Sequence, residues 1–142
     1  MAQPLLDVRG LSVEYRARDA TVYAVSGVSF ALQPGELLAI VGESGSGKST
    51  VGLAIPRLLP AEAAITAGAI TLAGTNLLAL PDAELRSYRG RRIAMIFQDP
   101  VAGLNPVIDI GSQVAEILTS HLDLGRREAR PRRRPPLPCR SR

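Results

Sequence analysis

Gly42-Glu43-Ser44-Gly45-Ser46-Gly47-Lys48-Ser49-Thr50 decides the reading of this chain. Lys48 is the only lysine among 142 residues, and the other sixteen basic side chains are arginine. The stretch completes the pattern G-x-x-x-x-G-K-[ST], in which glycines let successive backbone N–H groups converge on one anion. Arginine presents a flat fork, whereas lysine delivers a compact point charge into a closed loop. The spacing points to nucleotide phosphate, with Lys48 on the terminal phosphates and the Ser49 hydroxyl on Mg²⁺. The plainer alternative is a glycine-serine turn that happens to hold a lysine. That alternative leaves the solitary lysine unexplained.

The flanks agree with a phosphate loop. Leu37 to Val41 is a continuous apolar run, as expected of a strand covered on both faces, and it leads straight into the loop. From about Lys48 a helix is predicted, with Val51, Ile55 and Leu58 on one face. Strand, loop and helix thus come in the order such a loop requires. Pro56 falls inside the helical pattern, so the helix either kinks there or ends before Ile55.

Upstream, Leu11, Val13 and Tyr15 alternate with polar residues, as do Val28, Phe30 and Leu32. Both read as half-buried antiparallel strands, separated by a turn around Arg16 to Asp19 and followed by a turn at Pro34-Gly35. Downstream, a short strand is expected at Ile70 to Leu72 and a helix at Asp82 to Tyr88, with Pro81 near its first turn. A further apolar strand is expected at Ile93 to Phe97, and a helix at Ile110 to Leu122 with Val114, Ile117, Leu118 and His121 at helical spacing.

The net charge of +4 conceals an uneven distribution. Residues 126 to 142 hold eight arginines and one glutamate, so the body of the chain is mildly acidic. No apolar run reaches bilayer length, and Met1 to Val8 has no secretory layout. The single cysteine, Cys139, excludes an internal disulfide and fits a reducing compartment.

Ile96-Phe97-Gln98-Asp99-Pro100, about fifty residues after the loop, is followed by Leu104-Asn105-Pro106. Together with the loop and the opening Leu5-Leu6-Asp7-Val8, these make residues 4–124 resemble the ATP-binding subunits of ATP-binding cassette (ABC) transporters. The likeness is greatest to the branch serving oligopeptide, dipeptide and nickel importers, although Val101-Ala102-Gly103 departs from the polar residues usual there. The resemblance implies an α/β P-loop NTPase of the ABC type with an N-terminal antiparallel β subdomain. It implies ATP and Mg²⁺ as ligands, held by Gly42, Glu43, Ser44, Gly45, Ser46, Gly47, Lys48, Ser49 and Thr50. Gln98 matches the Q-loop glutamine, a neutral acceptor that senses Mg²⁺ and the attacking water; a capping glutamine at a strand end is the bland reading. Lys48 and Gln98 are thus the catalytic candidates, and Ser49 and Gln98 the metal candidates. Tyr15 matches the aromatic residue that stacks on adenine, with Tyr23 as competitor and an ordinary strand tyrosine as the plain reading. The implied partners are a transporter membrane subunit and a second ATP-binding subunit, at the cytoplasmic face of the membrane.

The family's chemistry is incomplete in these 142 residues. They contain no Leu-Ser-Gly-Gly-Gln segment, no apolar strand ending in paired acids and no switch histidine. Hydrolysis needs a base or a water-positioning group as well as a phosphate cradle, so turnover by this chain alone is not expected. The expectation is an N-terminal portion with an incomplete core. Residues 125–142 are expected to be an Arg/Pro-rich disordered tail, and the change at Arg126 is consistent with translation in a wrong reading frame, which sequencing the gene through that codon tests. A non-catalytic interaction module is the main alternative. A DNA-repair ATPase is disfavoured by the short spacing between loop and Gln98. Nucleic-acid or anionic-lipid binding by the tail is disfavoured because it has no aromatic residues for stacking and no helical period.

Overall fold

The computed structural model describes residues 3–18, 20–99 and 103–121. The expectations for Cys139 and the arginine-rich tail lie outside them. Met1–Arg86 and Ser87–Arg142 form two separate units.

The first unit is built on a four-stranded antiparallel sheet. Strands β1 (Leu6–Arg16), β2 (Thr21–Leu32), β3 (Ala63–Leu72) and β4 (Thr75–Asn76) are arranged in the order β2-β1-β3-β4. Both predicted opening strands are present, and each is longer than its alternating stretch. The cause is a crease. On β1 the buried residues are Leu6 and Val8, then Leu11 and Val13, so the inward parity switches at Gly10. Gly10 has φ +57°, and the pairing with β2 shifts register between Val8 and Leu11. β2 switches parity beside Gly27, at φ +64°. These are β-bulges, and glycine fills the left-handed position at little steric cost. The amides set free by the bulges have partners across the sheet. Gly10 N–H donates to Ser29 Oγ at 2.7 Å, and Gly27 N–H donates to Ser12 Oγ at 3.0 Å.

β3 reaches well beyond the expected Ile70 to Leu72. Its first seven residues, Ala63 to Ala69, are alanine-rich, and alanine is depleted in strands. Pairing with β1 overrides that preference. Ala73 and Gly74, both at positive φ, make the tight turn between β3 and β4. The core comprises Leu6, Val8, Leu11, Val13, Val25, Ile70 and Leu72 of the sheet, joined by Val51, Ala54, Leu77 and Leu85.

Helix α1 (Lys48–Ala54) begins where expected and stops before Pro56, which settles the open question there. Its exit is closed by Arg57 N–H to Ala54 C=O at 3.0 Å and Leu58 N–H to Leu53 C=O at 2.8 Å. That pattern places Arg57 at φ +54°, where glycine is usual. The Arg57 guanidinium donates to Leu80 C=O at 2.7 Å and pairs with Asp82 at 3.3 Å. Helix α2 (Asp82–Tyr88) matches the expected bounds.

Two predicted strands are corrected. Leu37 to Val41 lies in no strand and is not covered: Leu37 is 93% and Val41 87% exposed. Ile93 to Phe97 makes only an isolated bridge, Ile93 with Arg89, and Ile96 is 93% exposed. Both runs have the composition of strands covered on two faces, which need a neighbour on each edge and a layer on each side. No described strand pairs with Leu37 to Val41, so its apolar side chains remain in water.

In the second unit, helix α3 (Ile110–His121) occupies the predicted span to within a residue. Asp109 Oδ1 accepts from Ser112 N–H at 2.9 Å, which closes the first turn. Leu104-Asn105-Pro106 forms a turn tied to this helix. Asn105 N–H donates to Gln113 Oε1 at 2.9 Å, and Gln113 Nε2 donates to the carbonyls of Asn105 and Ile108. Val114 and Ile117, placed on the apolar face by their spacing, are exposed. His121 ends the helix, and its side chain lies outside the described residues.

Candidate functional site

The loop before α1 folds around its own lysine. The Lys48 ammonium donates to Gly42 C=O at 2.8 Å, to Glu43 C=O, and to Ser46 Oγ at 3.1 Å. Ser46 N–H closes on Glu43 C=O at 3.2 Å. Residues Gly42 to Ser46 and Ser49 are exposed. An ammonium on an open loop with solvent-facing hydroxyls is a donor set suited to phosphate oxygens and to a hard cation bridging them.

Two contacts hold the start of α1 to the sheet. Gly47 caps the helix in the left-handed region at φ +86°. A Cβ there would stand 2.3 Å from Ala24 C=O and 3.2 Å from Val25 Cγ2, so the backbone approaches β2 as only glycine permits. On the other side, the Tyr15 hydroxyl lies 3.3 Å from Thr50 Oγ1. Thr50 is buried, whereas its neighbour Ser49 is exposed. No side chain caps α1, and Val51 N–H to Gly47 C=O, at 2.9 Å, is the bond that closes its first turn. The N–H groups ahead of that bond are the ones a helix leaves without an internal partner, and they favour an anion.

The predicted residues therefore divide into two groups. Gly42 to Thr50 and Tyr15 come together in the first unit. Tyr23 stands across from Glu14 in the β1–β2 register and is 74% exposed. Gln98 is exposed, in neither helix nor strand, and belongs to the second unit. Sequence reasoning missed Ala24 and Val25 as the floor beneath Gly47, because two small or β-branched residues on a strand carry no signal of a helix resting on them. It also missed the difference in burial between Ser49 and Thr50, adjacent hydroxyls that only the folded helix separates.

Comparisons with known proteins bear on this arrangement. The chain is 50% identical over 131 residues to the peptidoglycan transport ATP-binding protein YejF of Agrobacterium fabrum, covering 92% of this chain and 24% of that protein. It is 45% identical over 130 residues to the oligopeptide transport ATP-binding protein OppD of Mycobacterium tuberculosis, covering 91% and 21%. The chain thus spans a quarter or less of the length of these two relatives. Among solved structures it resembles the ATP-binding cassette MJ0796, described as a dimeric post-hydrolysis state bound to ADP and Pi. That likeness has a TM-score of 0.65 and 25% identity, over 80% of this chain and 47% of that one. It places the antiparallel sheet and phosphate-loop helix within the ABC ATPase fold, with part of the core present. The family model described as ABC transporter matches residues 25–134. On the strength of that match, which takes in most of the chain, this protein belongs to the ABC transporter family.

Proposed function

We propose that this chain binds Mg²⁺·ATP through Gly42 to Thr50, as the front part of an ATP-binding subunit in the peptide-import branch of the family. The observation that carries the reading is the exposed loop closed around Lys48, joined to a helix start that has no side-chain cap. Bound ATP supplies a triphosphate whose charge the metal partly neutralises. Lys48 would turn from the loop carbonyls to the terminal phosphates, Ser49 would hold Mg²⁺, and Tyr15 would offer its ring to adenine. Gln98 is assigned to the metal and attacking water on the family resemblance. The names of the relatives, which specify oligopeptide and peptidoglycan transport, support the branch. A membrane subunit and a second ATP-binding subunit are the partners proposed, with peripheral attachment at the cytoplasmic face. Among the described residues no helix is long and apolar enough to cross a membrane.

The 142-residue chain is proposed to bind nucleotide without turnover, since no residue in it matches the family's hydrolytic base. Titration calorimetry with Mg²⁺·ATP, paired with a phosphate-release assay, tests both halves. Binding that Lys48→Ala abolishes supports the reading. A folded chain that gives no heat refutes it, and steady turnover dependent on Lys48 refutes the claim of inactivity.

A further inference from the structure

The start of α1 owes its placement to two contacts that flank Lys48 and Ser49. Gly47 rests on the Ala24 carbonyl of β2, and the Thr50 hydroxyl meets the Tyr15 hydroxyl at the end of β1. The first contact fixes how closely the backbone approaches the sheet. The second fixes rotation, because a hydroxyl pair holds the helix at one azimuth and a glycine against a carbonyl does not. Thr50 is only 8% exposed, so its hydroxyl faces the protein, and Tyr15 is the partner it has there. A rotation of the first turn that broke this bond would also swing the Lys48 and Ser49 side chains, which stand on the same turn.

We propose that the Tyr15 hydroxyl is a positioning group for the phosphate loop, acting through Thr50 to orient the first turn of α1 toward the phosphate chain. This rests on the phosphate-binding reading above. It gives Tyr15 a second role, separate from any contact of its ring with a base, because the hydroxyl works on the phosphate end of the ligand.

The discriminating ligand is Mg²⁺·tripolyphosphate, which has no base to stack. Calorimetry on the full chain is expected to show Tyr15→Phe and Thr50→Val each weakening tripolyphosphate by about two- to tenfold, the worth of one hydrogen bond. Thr50→Ser keeps the hydroxyl and is expected to lose less affinity than Thr50→Val; a loss as large as that of Thr50→Val overturns the proposal. The double variant Tyr15→Phe/Thr50→Val is expected to bind no worse than the weaker single variant, since both changes remove the same bond. Tyr15→Phe binding tripolyphosphate like the parent overturns the proposal, as do losses that add in the double variant. Tyr15→Ala losing affinity for ATP alone would then assign Tyr15 to the base only. A parent chain that binds neither ligand, or that is indifferent to Lys48→Ala, overturns the phosphate-loop reading and this proposal with it. Circular dichroism identifies any single variant that unfolds, and the other single variant then carries the comparison.

Discussion

Replacing Gly47 by alanine tests how firmly α1 is seated. The residue sits at φ +86°, where an L side chain costs about 1–2 kcal/mol. The new methyl would also lie 2.3 Å from Ala24 C=O, a backbone atom within the β2 strand that cannot swing aside. Forcing a methyl into packed surroundings costs a further ~1–3 kcal/mol. The expected total is about 2–5 kcal/mol. Gly45 supplies the control. Its φ is +80°, but a Cβ there meets nothing within 4 Å. Gly45→Ala therefore pays the backbone cost alone, about 1–2 kcal/mol. Urea unfolding of both variants, at a slope of about 1–3 kcal/mol per molar, resolves the difference as a shift in midpoint. Nucleotide affinity should fall further in Gly47→Ala, because α1 must lift from β2. Equal midpoints for the two variants would refute the close approach of Gly47 to β2 and the seating argument built on it.

Three further outcomes are expected. Leu11→Ala, at a side chain with no solvent exposure, should destabilise the first unit by about 2–5 kcal/mol in the same urea assay. Gly68→Ala should lower the unfolding midpoint as well, since its Cβ would stand 2.7 Å from the carbonyls of Arg9 and Gly10 and from Leu11 Cα; an unchanged midpoint would contradict the β1–β3 register. Leu37→Glu with Val41→Lys should leave stability within about 0.5 kcal/mol, because both side chains are in water, while light scattering falls as an apolar surface is removed.

The sequence was most legible where a local rule suffices. The glycine-lysine spacing points to the loop and the start of α1, and Pro81 near the first turn marks the helix at Asp82 to Tyr88, whose bounds match α2 to the residue. The crease was hidden. The alternation at Leu11 to Tyr15 and that at Val28 to Leu32 lie on opposite sides of it and overlap only where Leu11 pairs with Val28. Reading them as direct partners loses Leu6 and Val8, whose parity is reversed. Leu37 to Val41 and Ile93 to Phe97 mislead for another reason. Their composition records a buried environment, and composition cannot say whether the covering strands stand in the same stretch of chain. The site was legible as a motif but not as a geometry. Nothing in Tyr15 or Thr50 alone announces that two residues thirty-five apart share a hydroxyl contact.

The bulges at Gly10 and Gly27 give the sheet two hinged halves with separate fates. Fraying that starts at Leu6 runs into the serine-clasped fold line and has to break a second set of bonds before it can advance. The half that carries Tyr15 and supports the Lys48 loop lies beyond that second set of bonds. Removing one residue at the fold line would set Leu6, Val8, Leu11 and Val13 in one unbroken alternation, erasing the crease from β1 and leaving the Gly27 bulge of β2 without its counterpart.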